Sequence, residues 1–595
     1  MKLSFVFLLG LGLIEWEAGL TQTAKTYSWW NPAGNEFPVV EGQAWPQEMK
    51  GNYYRLPARA EKAVRPEVWD LAHNSAGLAI SFKTNSPEIV VKYKVSGAVS
   101  FPHMPATGVS GVDLYAVGKD GQQLWCRGAY SFNDTIVYSF KGLDENDSLN
   151  PFHSKGGEYT LYLPLYNTIT WLNIGTLDGY TFAPSPLRKE KPVVVYGTSI
   201  AQGGCASRPG MAWPAIVGRK FDRPVINLGF SGNGRLEKEI VALCAEIDAK
   251  IYVIDCFPNL TGASFSLQEI KNRVVNSVAI LRKAHQHTPI LFVEHAGFGD
   301  APVNAGNRNR VDSINKLLEE TIKELKNKGA TNISILTKDE LGLGFDAMVD
   351  GIHPTDLGMQ QYADAFEKKA REILHEPVGD VSTTKPCTQN RDANTYDWKT
   401  RHSEVLALNT GNLPPIIFVG NSITHYWGGQ PVAPVARGKD SWRKFIEPHQ
   451  VRNLGFGWDR IENVLWRVYH DEMDGYAAKQ IVFMIGTNNL DFNTDNEIVE
   501  GLKFLLSATK VKQPKSPILL LGIYPRANHE KRIAQLNEHI AALAKSIHVR
   551  YADPGKFLLG RDGKINPDFF TNDGVHPNGG GYNEVGRRLE PLLVK

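Results

Sequence analysis

Two serines, two aspartates and two histidines recur in this 595-residue chain at matching intervals. Gly197-Thr198-Ser199 and Gly420-Asn421-Ser422 each close an apolar run, and each is followed downstream by Asp-Gly-x-His-Pro: Asp350 to Pro354 and Asp573 to Pro577. From serine to aspartate the count is 151 residues in both cases, and from serine to histidine it is 154. An aspartate three residues before a histidine can turn back to accept the imidazole Nδ1 proton, which leaves Nε2 as a base toward a hydroxyl. A hydroxyl served by such a base attacks acyl carbonyls. Taken singly, Gly-x-Ser is an ordinary turn and Asp-x-x-His an ordinary helix start. The register shared by the two copies sets them apart from chance turns.

Acyl transfer also needs donors for the developing oxyanion, best placed on loops at the carboxyl ends of neighbouring strands. In the first copy, Gly229-Phe230-Ser231-Gly232-Asn233 and Asp255-Cys256-Phe257-Pro258-Asn259 occupy those loops, which nominates Gly232 and Asn259. In the second copy, Gly455-Phe456-Gly457-Trp458-Asp459 and Gly486-Thr487-Asn488-Asn489 nominate Gly457 or Trp458, with Asn488. Neither serine completes the Gly-x-Ser-x-Gly elbow of α/β-hydrolases, since Ala201 and Thr424 stand at its last position.

The elements that must position these residues follow from patterning. Short apolar runs at 192–196, 224–228, 251–254 and 289–293 alternate with helical stretches, and the alternation returns at 416–419, 480–485, 517–523 and 548–551. This pattern predicts two α/β units, each a parallel sheet between helices, at 186–378 and 394–595. A polar segment, 379–393, is the expected linker. Residues 25–185 have strand-like runs separated by turn residues and predict a β-sandwich. Met1, Lys2 and the apolar run that follows predict a secretory signal over 1–20, hence a periplasmic or secreted protein with no membrane span.

Nucleophile, glycine, asparagine and Asp-x-x-His blocks in this order resemble the SGNH (GDSL-like) hydrolases. The resemblance implies a flavodoxin-like sheet, a Ser-His-Asp triad and a Gly/Asn oxyanion hole. It carries directly onto Ser199, Gly232, Asn259, Asp350 and His353, and onto Ser422, Asn488, Asp573 and His576. The glycine block of the second unit departs from the pattern, because Trp458 aligns with Gly232. A backbone donor survives there, but the conformation that glycine permits is placed in doubt, so the second site is expected to be the weaker. The second unit is similar to the catalytic subunits of platelet-activating-factor acetylhydrolase; the first resembles bacterial SGNH esterases with an N-terminal β-sandwich. Together these imply an exported O-acetyl esterase acting on acetylated oligo- or polysaccharides. The alternatives are a lipid or lysophospholipid esterase, and a glycan-binding protein whose esterase-like units are inactive.

Composition restricts the rest. Lys and Arg number 65 against 63 for Asp and Glu, so the overall charge calls for no nucleic acid partner. The five cysteines are scattered without CxxC spacing, which describes neither a zinc site nor a disulfide framework, and no cofactor or metal is expected. Trp427 and Trp458, close in sequence to the second unit's candidate residues, are read either as bordering substrate or as packing beneath loops, and His295, closing a strand on the side of Ser199, either as a substrate contact or as a satisfied loop histidine. Nothing in the sequence sets the oligomeric state.

Overall fold

The computed structural model describes residues 25–49, 51–118, 121–143, 156–411 and 413–594; the expected signal segment, 1–20, lies outside the described residues. Each α/β unit is built on five parallel strands. In the first these are β1 (Val193–Gly197), β2 (Val225–Gly229), β3 (Ile251–Asp255), β4 (Ile290–Val293) and β5 (Ile333–Leu336). In the second they are β6 (Ile416–Gly420), β7 (Val451–Gly455), β8 (Gln480–Met484), β9 (Ile518–Leu521) and β10 (Arg550–Ala552). Spatial order is β2-β1-β3-β4-β5 and β7-β6-β8-β9-β10, the flavodoxin-like arrangement whose switch point lies beside the first strand. Because helices cover both faces, β1, β3 and β6 are buried throughout and read as unbroken apolar runs rather than alternating ones.

Ahead of these units, two antiparallel sheets form the sandwich, one ordered Tyr27–Trp30, Ile169–Leu177, Glu88–Val95, Ile136–Lys141, Gly128–Phe132. The other runs Phe182–Pro184, Ala79–Thr84, Gly157–Tyr162, Asp113–Val117, Gln123–Cys126. Ile80, Phe82 and Leu161 from one sheet meet Ile89, Val91 and Tyr93 from the other in a common core.

Most apolar residues of 45–76 pack elsewhere, and of the buried ones only Tyr53 joins the sandwich core. Trp45, Leu56, Val64, Val68 and Ala72 pack into the core of the first α/β unit, and Ala76, Met104, Val109 and Leu165 pack into its other face. Helix Pro66–Ala72 thus serves the first unit as Trp398–Asn409, with buried Trp398 and Val405, serves the second. In the first unit most of the sandwich stands between this lead-in and β1. The segment 379–393 joins the units but is no free tether. Thr383, Thr384, Thr388 and Gln389 are buried, and the Thr383 hydroxyl donates to the Glu497 carbonyl at 2.7 Å. Its polarity supplies hydrogen bonds to the second unit rather than solvation.

Buried charge fastens the units together. Arg223 donates to Asp471 (2.8 Å) and to the Tyr469 carbonyl (2.7 Å), while Lys250 bonds Asp471 (2.9 Å) and Glu376 (3.0 Å). Lys399 reaches the sandwich at Glu158 (2.5 Å). Where the three bodies meet, a cavity of about 560 Å³ remains, lined by residues that include Tyr162, Pro184, Ala215 and Ala407.

A chain truncated to begin at Pro186 should not fold. Losing half a dozen apolar partners at about 1.5–3 kcal/mol each removes as much as a domain's whole net stability of about 5–15 kcal/mol. Circular dichroism and gel filtration of that truncation would check this, and a monomer with a cooperative melt would refute it.

Candidate active site

Each serine sits at the first turn after its unit's leading strand, as the first residue of Ser199–Gln202 or Ser422–His425. The residue before it caps the turn: Thr198 and Asn421 side chains accept from the N–H of Ile200 and Ile423. The serine's own N–H is left among the unpaired donors of a helix start. Both serines are 7% exposed.

Ser199 Oγ lies 2.8 Å from His353 Nε2, and His353 Nδ1 lies 2.7 Å from Asp350 Oδ2. In the second unit the corresponding distances are 2.8 Å for Ser422 to His576 and 2.8 Å for His576 to Asp573. The other carboxylate oxygen also has partners. Asp350 Oδ1 accepts from the N–H of His353 (2.9 Å) and Ile352 (3.1 Å), and Asp573 Oδ1 from His576 and Val575 (both 2.9 Å). Burial pushes each carboxyl toward its neutral form, but these N–H groups and the imidazole outweigh it and hold both below the usual carboxylate range. A carboxylate fixed in this way keeps the imidazole proton on Nδ1 and Nε2 free to accept from serine.

The loops after β2 and β7 superpose in their hydrogen bonding. Phe230 N–H donates to the Gly197 carbonyl and Phe456 N–H to the Gly420 carbonyl, both at 3.0 Å. The next N–H is spoken for: that of Ser231 by Gln202 Oε1 (3.0 Å), that of Gly457 by His425 Nδ1 (3.1 Å). The Gly457 N–H is thus engaged within the protein, which leaves Trp458, the counterpart of Gly232, as the candidate donor. Gly232 has φ +68° and Trp458 φ +62°. The tryptophan adopts the left-handed conformation despite its side chain, at a cost of about 1–2 kcal/mol. The expected misdirection of this donor does not occur in the backbone.

Asn259 and Asn488 each lie four residues beyond the end of the third strand, partly buried in an otherwise buried turn. Asn259 Oδ1 accepts from Gly234 N–H (3.0 Å), which orients its amide, and Asn488 Nδ2 gives one of its two protons to the Asp459 carbonyl (2.9 Å).

A buried arginine braces each second strand. Arg55 donates to the carbonyls of Asn227 (3.2 Å) and Gly229 (2.5 Å), and its guanidinium lies 4.9 Å from the Phe230 ring centre. Arg401 donates to Asn453 (3.1 Å) and Gly455 (2.8 Å), 5.2 Å from Phe456. Sequence reasoning passed over these arginines, as it did Gln202 and His425. Their roles appear only once the lead-in segments are folded back, although Gln202 and His425 do share the position three after serine. His425 is pushed down to about 2, by burial first and then by Arg401 and Arg467, so it stays a neutral acceptor.

The two sites differ at their rims. The sandwich reaches the first: Tyr166 donates to the Ser199 carbonyl (3.3 Å), His103 stacks 6.2 Å from the His353 ring, and Phe101 packs against Tyr166. Asp113 and Tyr115 of the sandwich both bind Arg208 in the loop after Ser199, and Asp113 also accepts from Gly210 N–H (3.0 Å). Gly204 approaches so closely that a Cβ would stand 3.0 Å from Tyr166 Oη and 3.1 Å from His353 Cδ2. At the second site Arg437 lies 3.6 Å from Asp573, Tyr426 packs 5.8 Å from His576, and Trp458 is 52% exposed. Trp427 is buried among Phe418, Trp442 and Tyr582, and His295 is buried with Nδ1 accepting from Gly297, so neither faces a substrate.

Residues 190–371 match one family model described as GDSL-like lipase/acylhydrolase, and residues 418–583 match a second with the same description. A protein described as a GDSL-like lipase from Bacteroides ovatus is 32% identical, with a TM-score of 0.52, over 59% of this chain and 98% of that one.

This chain belongs to the GDSL-like lipase/acylhydrolase family. Membership is double, one unit after the other, and residues 27–182 match the N-terminal model of SGNH-hydrolase-type esterases. Human platelet-activating factor acetylhydrolase IB subunit alpha2 is 28% identical over 204 residues, 33% of this chain and 84% of that protein. The human alpha1 subunit is 27% identical over 206 residues. The chain is thus an ester hydrolase of the SGNH type.

Two outcomes follow from this geometry. Asn259→Ala and Asn488→Ala should each lower kcat at their own site roughly 100- to 1,000-fold, measured with the other serine replaced by alanine. Burial holds His576 below its usual pKa of 6.5, outweighing the opposing pull of Asp573. A base with a depressed pKa stays unprotonated further into acid, so the second site's kcat/KM profile, read on Ser199→Ala enzyme, should have its acid midpoint below pH 6.5. A midpoint above that value would contradict the assignment.

Proposed function

We propose that the chain is an exported esterase that removes acetyl groups from acetylated carbohydrates at two independent serine sites. Serine Oγ attacks the acetyl carbonyl carbon while histidine Nε2 takes its proton. The tetrahedral oxyanion is held by the backbone N–H of Gly232 or Trp458 and the amide of Asn259 or Asn488. As it collapses, the sugar oxygen leaves with the proton from histidine. Water then attacks the acetyl-serine, gives a proton to the same histidine, and acetate departs as serine regains its hydrogen.

Trp458 carries the carbohydrate reading. A tryptophan occupies a left-handed backbone position that the first unit gives to glycine, and it leaves about half of its surface in solvent. Such a cost is offset where a flat apolar face is needed, and the C–H face of a sugar ring is a partner for an indole. The first site has its own aromatic border in Phe101, His103 and Tyr166. A small acyl group suits the crowding at Gly204 and accords with the name acetylhydrolase borne by the human relatives.

Ser199→Ala should abolish one activity and Ser422→Ala the other, with only the double variant inactive on every ester; acetate release from acetylated xylan, mannan and pectin would be followed. If either change alone removed all activity, two independent sites would be refuted. Preference for acyl chains of about eight carbons or more would favour a lipid esterase instead, since only a long apolar groove gains from each methylene. In Ser199→Ala enzyme, Trp458→Gly should raise KM for glycans about tenfold, the value of one lost stacking contact, and leave kcat on p-nitrophenyl acetate little changed. Equal losses on both substrates would assign Trp458 to the donor alone.

A further inference from the structure

Cys205 is six residues beyond Ser199 in sequence and more than a hundred before Asp350 and His353, yet the fold brings the three together. One ligating atom from each, the Cys205 Sγ, an Asp350 oxygen and a His353 nitrogen, lie within 4.8 Å of one another. Among the described residues no other group of three such side chains does so. Cys205 is buried, and Asp350 keeps 39% of its side chain in solvent, which gives a cation a way in. We propose that the first site binds a soft divalent cation, Zn²⁺ being the type, through Cys205 Sγ, Asp350 and His353 Nδ1, and that this cation switches the site off.

The donor set fits. Thiolate, imidazole and carboxylate are the three ligand types that zinc takes, and three protein donors leave a fourth position for water. Bonds of about 2.0–2.3 Å place tetrahedral donors roughly 3.5 Å apart, so the Asp350–His353 pair, now 2.7 Å apart, opens by somewhat under an ångström to admit the ion, with the thiol already inside the same 4.8 Å group. Charge also balances, because thiolate and carboxylate together match a dication. On binding, the thiol proton leaves to solvent. The metal takes the Nδ1 lone pair, and the imidazole's single proton moves to Nε2. That nitrogen then faces Ser199 as a donor and has no lone pair with which to accept the hydroxyl proton. Inhibition follows from the tautomer, without the cation touching substrate.

The second site is built otherwise. Six residues beyond Ser422 stands Gly428, which offers no ligand. The guanidinium of Arg437, 3.6 Å from Asp573 Oδ2, already provides a cation on that carboxylate and repels another. The two units should therefore respond differently to the same ion.

The inhibitory part rests on His353 acting as the base of a working site, so binding and rate are read separately. Co²⁺ added to the full-length protein should produce a thiolate-to-metal charge-transfer absorption that Cys205→Ser removes. Zn²⁺ should inhibit Ser422→Ala enzyme, which relies on the first site, at least tenfold more strongly than Ser199→Ala enzyme. Cys205→Ser in the former should erase that difference, each rate being compared with its own value in EDTA. Absence of the absorption, or its persistence in Cys205→Ser protein of unchanged melting temperature, would overturn the cation site. Equal inhibition of the two sites would overturn the switch. Should Ser422→Ala enzyme hydrolyse no ester even in EDTA, the proposed function fails at that site, and the Co²⁺ spectrum still decides the binding.

Discussion

An imidazole relays a proton only when one ring nitrogen is held by an acceptor and the other is left facing a hydroxyl. Both units are organised around that requirement. A five-residue turn fixes aspartate and histidine relative to each other, since the same carboxylate accepts two backbone N–H groups and the ring. The serine arrives from the far end of the unit's sequence on the leading strand of a parallel sheet. Placing two such elements within 2.8 Å across 154 residues requires a rigid sheet between them, which fully buried strands supply.

The oxyanion loops show the same constraint solved with different residues. The N–H that precedes the donor is tied down by glutamine in one unit and by neutral histidine in the other. The following residue takes the left-handed conformation in both, whether it is glycine or tryptophan. The arginine behind each loop is likewise supplied by a preceding segment, yet from non-equivalent positions, Arg55 ahead of its helix and Arg401 within it. Between the two units the hydrogen bonds agree more closely than the side chains that make them.

How much of this is legible in sequence depends on the range of the interaction. Strands β1, β3, β6 and β8 announce themselves as apolar runs because both faces are covered. Strands β5 and β7 are quieter: Ser334 interrupts the first, and Arg452 and Asn453 the second, where Asn453 is buried in order to bind the Thr424 and Gly428 carbonyls. Spacing identifies the serine, aspartate and histidine, because a repeated interval is a property of the chain alone. Tyr166, Cys205 and Arg437 reach the sites through contacts between distant segments, and no local pattern marks them. Gly457 is a fair candidate on type, and only the hydrogen bond to His425 shows its N–H engaged within the protein.

The position of residues 45–76 has a consequence for how the chain is made. Most of their apolar side chains are completed by strands and helices that end near residue 370, so during synthesis they emerge about 300 residues ahead of their last partners. The sandwich can close in the interval, since its own core is drawn from residues 39–174. The lead-in helix cannot, and contacts so distant in sequence form slowly. Until the first unit is finished, Trp45, Leu56 and Val68 lack the partners that bury them, which makes this stretch a surface that a chaperone would meet on the unfinished protein.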